Sequence, residues 1–66
     1  MDSIAAVAAS IRDARKEAGL TQEELSDLAG TSERTIRAIE TGAGNPSLRA
    51  VAKTADVLGL RLTLTR

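Results

Sequence analysis

Residues 22–40 read QEELSDLAGTSERTIRAIE. Apolar residues recur at helical spacing on both sides of Gly30: Leu25, Leu28 and Ala29 before it, Ile36 and Ile39 after it. Just upstream, Thr21 with Glu24 three residues on matches a capping box, in which the hydroxyl accepts from the backbone and the carboxylate reaches back. Gly30 can take a positive φ and end the first helix. Thr31 and Ser32 are candidate N-caps for the second. The stretch predicts two short amphipathic helices joined by a tight turn, with those five apolar residues facing inward. Ser26 supplies the small residue needed where two such helices cross.

Upstream, Ile4, Val7, Ala8 and Ile11 predict a first helix over roughly 3–18. Asp2 or Ser3 would cap it, and Gly19 followed by Leu20 would close it. Downstream, residues 41–46 (TGAGNP) read as a loop. Ser47 caps a fourth helix with apolar Leu48, Val51, Ala52, Ala55 and Leu58, ended by Gly59. The period then changes: Leu60, Leu62 and Leu64 alternate with Arg61, Thr63 and Thr65, which predicts a strand. A lone strand in a helical chain leaves its backbone groups unpaired, so the simplest partner is the same strand of a second copy. The expected organisation is an all-α bundle of four to five short helices over residues 1–59, then a dimerisation strand over 60–66 carrying Leu60, Leu62 and Leu64.

Composition narrows the function. Sixty-six residues make one small domain. A chain this short buries only about 60% of its unfolded surface and often leans on a disulfide, a metal or an oligomer. With no Cys and no His, disulfides and the usual zinc sites are excluded, and oligomerisation is the remaining support. No cofactor or metal is expected. The absence of Phe, Trp and Tyr removes base stacking, which argues against binding single-stranded nucleic acid. No apolar run approaches the ~20 residues of a membrane span. The opening MDSIAAVAAS carries an acid and no basic segment, so it is a poor signal peptide, and a cytoplasmic protein is expected. Nine basic and nine acidic residues give zero net charge, which counts mildly against DNA binding. An enzyme is not expected: Asp13, Glu17, Glu23, Glu24 and Asp27 are spread along helix faces as solvated surface.

Two short helices at this spacing outline a helix-turn-helix, whose second helix is shaped to enter the major groove of DNA. The chain resembles the Cro and phage-repressor-like (Xre-type, lambda-repressor-like) helix-turn-helix family over about residues 8–59. The resemblance is carried by Ala14, Arg15 and Lys16; by residues 19–25 (GLTQEEL); by Ala29, Gly30, Thr31 and Ser32; by Thr35, Ile36, Ile39 and Glu40; and by Asn45, Pro46, Ser47 and Leu48. Two departures are visible, Ser26 for the commoner Ala and Glu33 near the reading edge. The resemblance implies that Gln22 contacts phosphate at a helix N-terminus, and that Ser32, Glu33, Arg34 and Arg37 read bases. It implies that Thr35, Asn45 and Arg49 touch the DNA backbone, and that Arg15 and Glu40 form a structural ion pair. A guanidinium of Arg34 or Arg37 bidentate to guanine would be the strongest specifier, and Glu33 could accept from a cytosine amino group.

The alternating tail after such a unit resembles the HipB-like antitoxins of toxin–antitoxin operons. This implies a homodimer on a palindromic duplex operator, repressing its own promoter and holding a partner toxin such as a HipA-like kinase. Two alternatives stand beside it: a stand-alone Xre-type or phage-type regulator, and a protein-interaction module that kept the fold and lost DNA binding.

Overall fold

The computed structural model describes residues 3–66; the proposed cap Asp2 lies outside them. Four helices follow one another: α1 (Ser3–Glu17), α2 (Gln22–Ala29), α3 (Glu33–Thr41) and α4 (Leu48–Val57). Three of them begin on a hydroxyl. Thr21 Oγ1 accepts from the Glu24 amide at 3.0 Å, and the Thr21 amide donates to Glu24 Oε1 at 2.9 Å, completing the capping box. Ser32 accepts from the Thr35 amide at 3.1 Å, and Ser47 from the Ala50 amide at 3.0 Å. Each bond satisfies a backbone donor that the first helical turn leaves without a partner.

Glycine closes the helices. Gly30 sits at φ 66°, the left-handed region that a side chain enters only at a cost. Its amide donates to Asp27 O at 3.3 Å, and the Thr31 amide to Ser26 O at 3.0 Å, so the chain reverses between α2 and α3 within a few residues. The same two-bond closure follows α1, where Leu20 donates to Arg15 O at 3.1 Å, and α4, where Leu60 donates to Ala55 O at 2.8 Å.

The core consists of Ala8, Ile11, Leu25, Ala29, Ile36, Ile39 and Ala55. α3 is its centre, packed on α1 and α2, while α4 closes the bundle mainly against α2. Each fully buried Ile or Leu stabilises by about 1.5–3 kcal/mol. Two buried polar residues fit because they bond to their own helices. Ser26 donates to Glu23 O at 2.7 Å and Thr54 to Ala50 O at 2.8 Å.

Several expectations fail here. Leu28, expected inside, is 60% exposed, and Ile4 and Leu48 are also largely exposed; Ala52 faces out too. Helical period marks a stripe, but α2 and α4 have neighbours on only part of it. Among the described residues there is no strand: 60–66 are irregular. A ladder needs a second strand to receive its N–H and C=O groups, and this single chain holds none. Instead, residues 60–63 run beside α1 and α4, with Leu60 half-buried, Leu62 39% exposed and Leu64 fully exposed. The four helices among the described residues fall within the four to five expected.

Candidate nucleic-acid interface

α3 divides into two faces. Ile36, Ile39 and Glu40 are buried, while Arg34, Arg37 and Thr41 are exposed and Glu33 is half-exposed beside them. Glu33, Arg37 and Thr41 succeed one another at four-residue intervals, and Arg34 lies alongside, so the outward stripe runs the length of the helix. Arg37 Nη1 lies 3.7 Å from Glu33 Oε1, one turn away, with both side chains substantially solvated. Such a pair is weak and easily opened. Among the described residues Arg34 forms no ion pair.

The buried face is clamped. Arg15, near the end of α1, donates from Nε to Glu40 Oε2 at 2.7 Å and from Nη2 to Glu40 Oε1 at 3.0 Å. Its remaining nitrogen, Nη1, donates to Leu20 O at 2.9 Å. This forked geometry suits a guanidinium facing a carboxylate. The hydrogen bond to Glu40 raises the Arg15 pKa above its ordinary value; desolvation opposes this and the Glu40 charge adds to it. Gln22 joins the same carboxylate, its Nε2 donating to Glu40 Oε1 at 3.4 Å. α1, the start of α2 and the last turn of α3 therefore meet at one acidic side chain.

Gln22 is thus held at the N-terminus of α2, where the Gln22 and Glu23 amides have no intrahelical acceptor. Ser32 is the N-cap of α3, and its hydroxyl lies 2.9 Å from that of Thr35. One of the two donates to the other, leaving a single O–H between them for anything outside. Asn45 is exposed in the α3–α4 loop and lines an apolar cleft of about 340 Å³ with Ile4, Val7, Pro46, Leu48 and Val51. Arg49 is exposed on the side of α4 that carries Lys53 and Asp56, beside Leu60 and Leu62, and not on the α3 stripe.

A helix-turn-helix family profile matches residues 11–64. The chain belongs to the helix-turn-helix family. Relatives agree: it is 49% identical over 49 residues to an uncharacterised helix-turn-helix-type transcriptional regulator of Methanothermobacter thermautotrophicus, covering 74% of this chain and 71% of that one. It is 44% identical over 52 residues to one of Archaeoglobus fulgidus, covering 79% and 74%. It is 33% identical over 60 residues to one of Sinorhizobium fredii, covering 91% and 78%. In this helix-turn-helix unit, no helix among the described residues is long and apolar enough to cross a membrane.

Sequence reasoning missed two features of the helix-turn-helix surface. The tie from Gln22 to Glu40 spans 18 residues, and nothing local announces it. The apolar cleft is lined by Ile4 and Gly42, and a Cβ on Gly42 would meet Ile4 Cγ2 at 3.4 Å. Its only sequence signal is the row of apolar residues in α1 and α4, whose helical spacing predicts core instead.

Proposed function

We propose that this protein binds duplex DNA sequence-specifically and regulates transcription, with α3 lying in the major groove. The observation that carries the reading is the outward stripe of α3. It presents two guanidinium groups on a helix whose other face is fixed by Ile36, Ile39 and the Arg15–Glu40 clamp. Rigid placement of bidentate donors is what base readout needs. Gln22 and the open amides at the start of α2 suit a backbone phosphate, and the leftover hydroxyl of Ser32 or Thr35 suits another. Asn45 and Arg49 have only the resemblance as support.

Zero net charge means that few phosphates are neutralised per copy, so one copy binds poorly. Two copies on half-sites about 34 Å apart would double the contacts. The narrower reading, an antitoxin holding a toxin such as a HipA-like kinase, was supported by the alternating tail. Without a strand in 60–66 it ranks below the general regulator. An adjacent gene for a kinase-like or nuclease toxin, and co-purification of its product, tests it.

The deciding experiment is a fluorescence-anisotropy titration on the chain's own upstream DNA against a scrambled duplex, at several salt concentrations. Specific binding that is lost in R34A/R37A supports the reading. Undiminished binding by that variant overturns the α3 assignment. Absence of any DNA binding favours the interaction-module alternative, to which zero net charge and Glu33 lend support.

A further inference from the structure

We infer that α3 selects G·C base pairs, and that Glu33 and Arg37 act as a couple reading one such pair while Arg34 reads a second guanine. The inference rests on the DNA-binding reading above and deepens it.

The polar atoms of the stripe are few. Thr41 Oγ1 donates to Arg37 O at 2.9 Å and is spent within the helix. The Ser32 and Thr35 hydroxyls engage each other at the cap. No Asn or Gln stands in α3, so the side chains that best read adenine are missing from it. Apart from the one O–H left between Ser32 and Thr35 at the cap, what remains is one carboxylate and two guanidinium groups.

A guanidinium is donor-only and needs two neighbouring acceptors. In the major groove, guanine alone offers them on one base, at O6 and N7. An ionised carboxylate is acceptor-only and needs a donor. Cytosine N4 supplies one with no major-groove acceptor on its own base, whereas adenine sets N7 next to its N6, and thymine O4 would face the carboxylate charge. A G·C pair therefore presents acceptors on one side and a donor on the other. Glu33 and Arg37, 3.7 Å apart, present the converse. Both are exposed enough to turn toward a base edge without disturbing the core. Paired with Arg37, Glu33 also meets less repulsion from the phosphates than a lone carboxylate would. The acid that looks awkward for DNA binding becomes the element that fixes which strand carries the cytosine.

The test is selection from a randomised duplex library by the full chain, its E33Q, R37A and R34A variants, and R37K, which keeps the charge and loses the fork. Circular dichroism confirms that each variant is folded. Wild type is expected to enrich at least two G·C pairs per half-site. E33Q and R37A should relax preference at the same base pair, by about tenfold, with E33Q gaining tolerance for adenine. R37K should resemble R37A, and R34A should change a different position. Enrichment of A·T pairs at the arginine-dependent positions overturns the inference and leaves the regulator reading intact. So does a finding that E33Q and R37A act at different positions. Enrichment of no sequence at all overturns both.

Discussion

Arg15 and Glu40 are joined by a forked ion pair, with Nε to Oε2 at 2.7 Å and Nη2 to Oε1 at 3.0 Å across 25 residues of chain. Their side chains are 12% and 3% exposed, so each charge depends on the other. Removing one partner of a buried pair costs about 3–5 kcal/mol, because the survivor is left unpaired. Arg15→Ala should be the worse variant, since it strips Glu40 of both short bonds and Leu20 O of its donor. The double variant should lose less than the sum of the singles by about 1 kcal/mol or more. Thermal melts of the cycle check this; additive losses would sink the coupling. The sign of the pH dependence follows from the raised Arg15 pKa. The guanidinium's contribution is fully present below its ordinary pKa and fades only as the solution passes the raised value, far into the alkaline range.

Gly30→Ala should destabilise by about 1–2 kcal/mol through the backbone alone. The added Cβ would meet only Lys53 Nζ at 3.7 Å, an ordinary contact, so the strain lies in φ 66° and not in a clash. Gly59→Ala, at φ 75° with nothing within 4 Å, should cost about the same in a urea titration. A much larger loss at Gly30 alone would point to a steric cause and refute this account.

Leu25 and Leu28 lie three residues apart on α2 and should behave oppositely. Leu25 is fully buried, so Leu25→Ala should cost about 2–5 kcal/mol. Leu28 is 60% exposed, so Leu28→Lys should stay within about 0.5 kcal/mol. Comparable losses in denaturant midpoints would place Leu28 back in a core.

Deleting residues 63–66 should leave the melting temperature within about 2 °C, because exposed termini contribute little. Leu64 is fully exposed, and the last backbone bond of the helical domain is made by Leu60. Sedimentation before and after truncation provides the second readout. Loss of a dimer on deletion would restore the tail to a pairing role.

The primary sequence determined whatever is settled within one helical turn. The Thr21–Glu24 capping box, the Ser32 and Ser47 caps and the reversal at Gly30 are bonds between residues three to five apart. Their chemistry is written locally and was legible. So was the division of α3 into Ile36 and Ile39 against Arg34 and Arg37, because one helix face must be buried. Tertiary structure alone decided how far each apolar stripe found a neighbour. It left Leu28, Ile4 and Leu48 to solvent and laid residues 60–63 beside α1 and α4 instead of in a strand. It also brought Gln22 to Glu40, 18 residues away, whereas the Glu33–Arg37 approach needs only the period of α3. Burial and long-range polar contacts depend on where other elements lie, and a strand depends on a second strand. No periodicity in 66 residues encodes that by itself.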